Sequence, residues 1–465
     1  MKQFKRFVVV TALSSSMLFQ TAALAAEDYV PLRESLQKAG AAVVWDGPNK
    51  SAAFKLPNGS TGSVTVGRGE YTLGSRTGKL SAAAKLENGV TQVPADFVKL
   101  LLGDTSGSDV LDLARQAEEK LVQVTAETET DAVESGSDAA DDPAIWVNPK
   151  APSKSTLIAT NKGGGVLVYN LDGKELYSYK VGKVNNIDVR YDFPLGGKKV
   201  DIAAATNRSG NTVEFFAIDP ETGELTSVNG EKIRSKMTEV YGFSLYHSLK
   251  TGKFYALILG KEGEFEQYEI FDNGSGKING RLVREFQLGT IAEGLVADDE
   301  YGYMYFSEEN VALWKFDAEP ESGVLPIGRV DVPDGSRLTA DIEGLALYYG
   351  KDGKGYLIAS SQGSNRYVIY KREGGNSYVG SFRIADGDLT DGTTETDGID
   401  VLSFGLGDKY PGGIFVAQDD ENITGGKTLN QNFKIVRWES IAKAIDPGLA
   451  QDPSVDPRKL IKRNR

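Results

Sequence analysis

The feature that most constrains the fold of this chain is a repeat that covers its C-terminal two thirds. Six segments each open with a polar residue that leads directly into an apolar run: DPAIWV from Asp142, NIDVRY from Asn186, YGFSLY from Tyr241, EGLVAD from Glu293, EGLALY from Glu343 and DGIDVL from Asp397. Successive openings are 44, 55, 52, 50 and 54 residues apart. A period of this length is typical of the four-stranded blades of a β-propeller.

Each segment carries further runs that are typical of strands in the same sheet. The second runs are STLIAT, VDIAAAT, YALIL, YMYFS, YLIASS and GIFVAQ, and the third are VLVYN, VEFFAI, FEQYEI, ALWKF, YVIYK and FKIVRW. A fourth run follows in five segments but is missing after the last one. The stretch LVQVTAETE, residues 121–129, precedes the first segment and can supply it, which would close the ring without exposed sheet edges. The sequence therefore predicts an all-β fold, a six-bladed β-propeller over residues 121–446.

The remaining segments divide the rest of the chain. Lys2, Lys5 and Arg6 precede an apolar run that ends at Ala23-Leu24-Ala25, which predicts a signal peptide over residues 1–25 and a secreted protein. Residues 27–102 are expected to form a small α+β domain, residues 103–120 a linker, and residues 447–465 a disordered tail.

The strings VPLRESLQKAGAAVVWDG and VPADFVKLLLG of the N-terminal domain resemble the stalk-like domain named after the N-terminus of copper amine oxidases. The segment contains no His, Cys or Met, so the resemblance implies no copper. We interpret this domain as an attachment module close to the cell wall.

Charge and composition exclude several classes of function. The chain has 52 Lys and Arg against 65 Asp and Glu, a net charge of -13, so we expect neither nucleic acid nor a membrane as a partner. It has no Cys and one His, His247, which excludes thiol chemistry, a His-based triad and a His-rich metal site. Any metal must then have oxygen ligands, and calcium is the natural candidate outside the cell. We take a monomer as the expected state.

The repeat predicts where the chemistry lies. The start of the first strand and the end of the second strand of an antiparallel blade lie at the same rim. The starts supply Asp141, Asp142, Tyr241, Glu293, Glu343 and Asp397, with Asp341 close to Glu343, and the ends supply Lys162, Arg208, Lys261, Glu309, Gln362 and Asp419. One mouth therefore carries carboxylates that suit calcium and cations that suit phosphate.

The segments ADDPAIWVNP, LIATNKGGGVLVYNLDG, TNRSGNTVEFFAID, EVYGFSLYHS, TADIEGLALYY and GIFVAQDDENITGGKTLNQNFKIVRWESI resemble the β-propeller alkaline phytases. The resemblance extends over residues 125–443 and is dense in every repeat. It implies a calcium-dependent phosphomonoesterase, of the 3-phytase type, that releases phosphate from myo-inositol hexakisphosphate (phytate), itself present as a calcium salt.

The same resemblance implies roles for individual residues. It assigns several calcium ions of the catalytic site to Asp141, Tyr241, Glu293, Glu309, Asp341 and Glu343. It assigns phosphate binding to Lys162, Arg208 and Lys261, which together with Tyr241 and Glu293 form the predicted catalytic set. It places structural calcium near Asp142, Asp391, Asp419, Glu421 and Asn422. Gly163 departs from the family pattern, in which a second Lys often stands, and this implies weaker phosphate binding.

The mechanism predicted from these residues is direct attack by a metal-held water on phosphorus, because the chain lacks a Cys or His suited to a covalent phosphoenzyme. Two other functions stay open. An acidic calcium propeller is also compatible with a lactonase or another esterase, although such a site needs less positive charge opposite the metal. Propellers also serve as non-catalytic binding modules, against which stands the concentration of charged residues at one rim.

Overall fold

The computed structural model describes residues 29–102, apart from residues 39–40, 57–59, 75 and 88, and residues 121–465. The predicted signal peptide and the predicted linker lie outside these ranges. Within the described ranges, no helix has both the length and the apolar character needed to cross a bilayer.

The N-terminal part contains two small antiparallel sheets and two short helices. Its elements are, in order, β1 (Tyr29–Pro31), α1 (Leu32–Lys38), β2 (Ala42–Asp46), β3 (Ser51–Lys55), β4 (Thr61–Thr65), β5 (Glu70–Leu73), β6 (Arg76–Lys79), β7 (Lys85–Glu87), β8 (Val90–Pro94) and α2 (Ala95–Leu102). Strands β1, β8 and β7 form one sheet, and β2 to β6 form the other. Helix α2 buries Phe97, Val98 and Leu101 on one face, as the helical period requires, and packs them into the core of this domain. The α+β prediction is confirmed.

Six sheets follow, and the first four are antiparallel sheets of four strands that are consecutive along the chain. Blade 1 consists of β11 (Ala140–Trp146), β12 (Thr156–Asn161), β13 (Gly165–Asn170) and β14 (Glu175–Tyr179). Blade 2 consists of β15 (Val184–Leu195), β16 (Lys198–Asn207), β17 (Thr212–Ile218) and β18 (Leu225–Ser227). Blade 3 consists of β19 (Val240–His247), β20 (Phe254–Gly260), β21 (Glu264–Asp272) and β22 (Ile278–Gln287).

The second half of the ring repeats this plan. Blade 4 consists of β23 (Ala292–Asp298), β24 (Tyr303–Glu308), β25 (Ala312–Asp317) and β26 (Gly328–Asp331). Blade 5 consists of β27 (Ile342–Tyr349), β28 (Gly355–Ser361), β29 (Arg366–Lys371) and β30 (Tyr378–Ile384), with β9 (Leu121–Val124) added outside β30. Blade 6 consists of β31 (Ile399–Leu402), β32 (Ile414–Asp419), β35 (Asn432–Arg437) and β10 (Thr128–Glu129). A hairpin of β33 (Ile423–Thr424) and β34 (Lys427–Thr428) precedes β35, and helix α3 (Trp438–Ala444) follows it.

The blades form a closed ring. The first strand of each blade contacts the first strand of the next, and β31 of blade 6 contacts β11 of blade 1. Apolar clusters fill the spaces between neighbouring sheets, as between blades 5 and 6 where Tyr348, Phe382, Phe415 and Trp438 pack together. This arrangement confirms the six-bladed propeller.

Ring closure differs in detail from the expectation. Strand β10 pairs antiparallel with β35 and is the fourth strand of blade 6. Strand β9, the first part of LVQVTAETE, instead pairs parallel with β30 of blade 5. The stretch therefore joins two blades, because its two short strands are separated by residues 125–127 and cannot belong to one straight strand.

A bulge at the start of the first strand gives five blades a common geometry at one rim. Two residues of the first strand there oppose a single residue of the second strand: Asp141-Asp142, Asn185-Asn186, Tyr241-Gly242, Glu293-Gly294 and Glu343-Gly344. Such bulges redirect side chains locally. A Cβ on Gly242, Gly294 or Gly344 would lie within 2.5 Å of the backbone of the following blade, so glycine permits the close approach of the first strands.

The C-terminal segment, residues 447–465, was expected to be disordered but lies across the face of the propeller opposite these bulges. Arg458 pairs with Asp201 of blade 2 at 2.5 Å, Arg463 with Glu300 of blade 4 at 3.5 Å, and Arg465 with Asp317 of the same blade. Its basic side chains are held because acidic partners from distant parts of the chain converge on that face. Pro457 and Leu460 also line the central channel, a cavity of about 120 Å³.

Candidate active site

Carboxylates from blades 4 and 5 meet at the rim that carries the bulges. Oxygen atoms of Glu293, Glu309 and Glu343 all lie within 4.8 Å of one another, and all three side chains are buried. Glu293 and Glu343 come from the bulges of β23 and β27, and Glu309 directly follows β24. Tyr241, from the bulge of β19, hydrogen-bonds to Glu293. The predicted convergence of strand starts and strand ends is therefore present in the structure.

The cluster holds more negative charge than a buried site tolerates. Burial, together with Glu293, Asp341 and Asp397, raises the pKa of Glu309 to about 8. Burial also raises the pKa of Glu343 well above its usual range, and its hydrogen bond to Glu293 adds to the rise. Like charges this close cannot all ionise unless a cation compensates them.

Asp141 belongs to the same mouth. It is fully buried in the bulge of β11, and within the described residues neither of its carboxylate oxygens has a hydrogen-bond partner. Burial raises its pKa to about 7 against the opposing effect of Lys162, and Glu293 raises it further. A fully buried carboxylate that has no hydrogen bond among these residues and only a 3.7 Å ion pair with Lys162 suits a metal ligand, because burying a poorly paired charge costs several kcal/mol.

Lys162 connects Asp141 with blade 6. Its Nζ lies 2.8 Å from Asp397 Oδ2, 2.5 Å from Asp138 Oδ1 and 3.7 Å from Asp141 Oδ1. Burial alone would lower the pKa of Lys162, but Asp141 and Asp397 raise it above its usual value. This ammonium group is therefore permanently charged at the edge of the acidic cluster.

Arg208 and Lys261 form a second group of cations, beside the ring of Tyr241. The Arg208 guanidinium lies 6.0 Å from the centre of the Tyr241 ring, and Lys261 Nζ lies 5.3 Å from it. Both approach Glu239 Oε1, Arg208 at 2.9 Å and Lys261 at 3.8 Å. Burial and the neighbouring Glu293 raise the pKa of Tyr241, so the phenol stays neutral beside these cations.

Several residues of the mouth were not assigned a role by the sequence. Asp397 was recognised as a strand start but not as part of the site; burial raises its pKa to about 7, and it accepts hydrogen bonds from Lys162 at 2.8 Å and from Gln362 at 2.6 Å. Asn185 bridges Glu293 and Arg208. The signal for Asp397 and Asn185 is their place in the repeat, because each stands where another blade presents Asp141, Tyr241, Glu293 or Glu343.

The side chains of this mouth fit a divalent cation. Within the described residues, Asp141 Oδ1 and Oδ2, Glu309 Oε1 and Glu343 Oε2 are buried oxygens without a hydrogen-bond partner. Clustered carboxylate and phenol oxygens are hard ligands that suit calcium or magnesium rather than soft metals. Site residues Asp141, Tyr241, Glu293, Glu309 and Glu343 are thus brought together, and Asp341 lies close enough to raise the pKa of Glu309.

The second predicted metal region is divided between two places. Asp142 lies in the bulge of β11 at the central channel and accepts a hydrogen bond from the Ile187 backbone N–H at 2.9 Å. Asp391 and Asp419 lie at the closure of blade 6, where they and Glu129 surround the ammonium group of Lys434. The five residues therefore do not form one group, because the bulge turns Asp142 toward the channel.

The remaining two residues of that region lie next to the closure of blade 6. Asn422 is buried and donates a hydrogen bond to the Asn430 carbonyl at 2.8 Å, while Glu421 is exposed and its backbone N–H donates to Thr394 Oγ1 at 3.0 Å. The nearby Asp391 accepts a hydrogen bond from the Ile423 backbone N–H at 2.5 Å.

Gly163, the departure from the family pattern, has a local steric reason. A Cβ at this position would lie 2.2 Å from Ser135 Oγ and 2.5 Å from Ser135 Cβ. Its backbone N–H donates to Asn161 Oδ1 at 2.8 Å, which forms the turn that presents Lys162. In this chain, the residue before the first blade fills the space that a second Lys would need.

The sequence is similar to known proteins in both parts of the chain. The sequence profile of the family described as Phytase matches residues 91–463, and that described as Copper amine oxidase N-terminal domain matches residues 15–108. A curated 3-phytase of Bacillus subtilis (strain 168) is 60% identical over 352 residues, which cover 75% of this chain and 92% of that protein.

Solved structures match at lower similarity. A luciferin-regenerating enzyme has a TM-score of 0.42 at 11% identity and covers 66% of this chain and 93% of its own. A protein of unknown function from Desulfotomaculum acetoxidans DSM 771 has a TM-score of 0.37 at 13% identity and covers 73% of this chain and 94% of its own. Similarity at this level carries no argument about function.

Proposed function

This chain belongs to the phytase family and is a phosphoric monoester hydrolase that acts on phytate; we propose that the reaction depends on calcium and takes place at the mouth of the propeller. The observation that carries the proposal is the set of buried carboxylate oxygens of Asp141, Glu309 and Glu343 that have no hydrogen-bond partner within the described residues, with Lys162 Nζ 3.7 Å from Asp141 Oδ1. A polyanionic substrate binds poorly to a protein with a net charge of -13 unless metal ions and basic side chains reverse the local field.

The ligands proposed for calcium are the oxygens of Asp141, Tyr241, Glu293, Glu309, Asp341 and Glu343, to which we add Asp397. Bound calcium would neutralise the charge of the phosphate and lower the pKa of the attacking water. The protein contributes a rigid set of oxygens at the starts of neighbouring strands, so that little reorganisation is needed on binding. Asp142, Asp391, Asp419, Glu421 and Asn422 remain candidates for structural calcium.

Lys162, Arg208 and Lys261 are proposed to bind the phosphate that is cleaved. Their N–H groups donate to its oxygens and stabilise the charge that develops on them in the transition state. In the structure these cations are paired with the carboxylates of Asp397, Asp138 and Glu239. Substrate binding would replace these carboxylates by phosphate oxygens. Tyr241, as a neutral phenol beside Arg208 and Lys261, is proposed to orient Glu293 through its hydrogen bond.

We favour direct attack by water because neither a Cys nor a His nucleophile is placed at the mouth. The chain has no Cys, and His247 lies at the opposite end of β19, stacked on Phe254 with a centroid distance of 4.0 Å. Burial lowers the pKa of His247 to about 4, so it is a neutral packing residue. Neither a phosphohistidine nor a phosphocysteine can therefore form at the mouth, and inversion at phosphorus in a single in-line step is expected.

The proposal is tested by phosphate release from phytate in a chelator, followed by titration with calcium or, as a control, magnesium. We expect activity to vanish in chelator and to return with calcium. Full turnover in excess chelator would exclude the metal-dependent mechanism. Replacing Glu293 by Gln should lower kcat by at least about 100-fold, as expected for a group that holds charge in the transition state, and a wild-type rate in that variant would remove Glu293 from the site.

We also propose that the protein is secreted, on the basis of residues 1–25. Sequencing of the protein purified from culture medium should then begin at Ala26. Protein that stays with the cells and retains Met1 would contradict this proposal.

A further inference from the structure

Asn185 lies between the two halves of the mouth. Its Nδ2 donates to Glu293 Oε1 at 2.6 Å, and its Oδ1 accepts from an N–H of Arg208 at 3.1 Å. The side chain is fully buried in the bulge of β15, the position at which other blades place Asp141, Tyr241, Glu293 and Glu343. One neutral residue thus touches both a proposed metal ligand and a proposed phosphate ligand.

The chemistry of these two partners requires an amide. A guanidinium group can only donate hydrogen bonds, and an ionised carboxylate can only accept them. An amide offers a donor and an acceptor on opposite sides of one planar group, so it satisfies both partners at once. A carboxylate at this position would repel Glu293, whereas an apolar side chain would remove one hydrogen bond from Glu293 and one from Arg208 in a buried place.

The bridge also restricts where Arg208 can lie. Besides Asn185, Arg208 contacts the carboxylate of Glu239 at 2.9 Å, and Glu239 also attracts Lys261. Without Asn185, Glu239 alone would position the guanidinium and draw it toward Lys261. The amide therefore holds Arg208 on the side of Glu293, where both can face the same phosphate.

We propose that Asn185 is a positioning residue that couples the phosphate-binding Arg208 to the metal-binding Glu293, so that the orientation of one depends on the other. This inference rests on the proposed roles of those two residues. Partners of metal ligands and of substrate ligands typically contribute about 10- to 100-fold to affinity or activity when removed. Asn185 touches neither substrate nor metal in this arrangement, so its effect must pass through Arg208 and Glu293.

The test uses the full-length Asn185→Leu variant, which has nearly the same volume and removes the hydrogen bonds with Glu293 and Arg208, together with the one to the neighbouring Asn186. We expect competitive inhibition by inorganic phosphate to weaken about 10-fold and calcium affinity, measured by calorimetry without substrate, to weaken by at least about 5-fold. In the Arg208→Ala background, the same replacement should weaken phosphate inhibition by less than about 2-fold, because the interaction it removes is already absent.

Controls separate positioning from stability. Asn148→Ala removes another buried amide, which accepts from the Lys150 and Ala151 N–H groups far from the mouth, and should lower the melting temperature without changing phosphate or calcium binding. If Asn185→Leu does not fold, Asn185→Ser should fold and show the same two losses at smaller size.

Unchanged phosphate and calcium affinity in the folded variant would overturn the inference, as would full additivity with Arg208→Ala. If Arg208→Ala and Glu293→Gln themselves have no effect, the proposed site fails rather than this inference alone.

Discussion

Glu309 and its neighbour Glu308 offer a test in which one substitution stabilises the metal-free protein and the other destabilises it. Glu309 Oε1 is buried and lacks a hydrogen-bond partner within the described residues. Glu308 Oε1 accepts from Thr290 N–H at 3.1 Å and Oγ1 at 2.7 Å, and its Oε2 accepts from Trp314 Nε1 at 2.8 Å. Both side chains are almost fully buried, so exposure does not distinguish them.

The expected magnitude follows from the pKa of Glu309. Burial, with Glu293 and Asp341, raises this pKa from 4.5 to about 8. A folded-state pKa above the unfolded value means that ionisation opposes folding, so stability is lost as pH rises through this window. Each pKa unit corresponds to about 1.4 kcal/mol, so the upper limit of the cost at high pH is roughly 4 to 5 kcal/mol. Neighbouring carboxylates share the protons, and we expect Glu309→Gln to recover about 1 to 4 kcal/mol of it.

The assay is urea unfolding in excess chelator, followed by Trp fluorescence, at about pH 5 and about pH 9. We expect Glu309→Gln to be close to wild type at the lower pH and more stable at the higher pH. Glu308→Gln should be less stable at both, because the amide nitrogen would face N–H donors. A Glu309→Gln variant that is destabilised at the higher pH, or whose gain does not depend on pH, would refute this account of the acidic cluster.

Three further predictions concern other parts of the molecule. Replacing Lys162 by Met should raise the inhibition constant for inorganic phosphate by about 10-fold or more, since a charged hydrogen bond contributes about 1.5 to 3 kcal/mol; unchanged inhibition would remove Lys162 from the phosphate site. Deleting residues 451–465 removes the ion pairs of Arg458, Arg463 and Arg465 with Asp201, Glu300 and Asp317. The melting temperature in calcium should therefore fall by several degrees, consistent with a loss of about 3 kcal/mol in the free energy of unfolding, while KM for phytate stays the same. An unchanged melting temperature would show that this segment does not stabilise the ring. Gly163→Lys alone should destabilise the protein because its Cβ would lie 2.2 Å from Ser135 Oγ. Gly163→Lys combined with Ser135→Gly should be tolerated and should lower KM for phytate. A single variant that is more stable than the double variant would contradict the steric explanation.

The repeat made much of the site predictable. Strand starts and strand ends of an antiparallel blade must share a rim, so the convergence of Glu293, Glu309 and Glu343 with Lys162 follows from their places in the repeat. The family resemblance, not the repeat, supplied phytate, whereas calcium was already favoured by a chain with no Cys and one His. Roles for individual residues at the mouth stay predictions until they are tested.

Other features depend on geometry that the sequence does not encode locally. Asp141 and Asp142 are adjacent in sequence, yet the bulge of β11 places one at the mouth and turns the other toward Ile187 at the channel. Asn185 carries no charge, so only its place in the repeat could have indicated it, and its role arises from Glu293 and Arg208, which lie 108 and 23 residues away in sequence. The sequence of the basic C-terminal segment is typical of a solvent-exposed tail. Its acidic partners could not be recognised locally, because they are separated from it by 148 to 257 residues.

The most direct test of the central claim is a crystal structure of the protein grown with calcium, with the ions located by their anomalous scattering. The account predicts calcium peaks at the mouth, between the oxygens of Asp141, Glu293, Glu309, Glu343 and Asp397, and a soaked phosphate between those peaks and Lys162 and Arg208. Calcium found elsewhere, with Glu293, Glu309 and Glu343 left without an ion at saturating concentration, would contradict it.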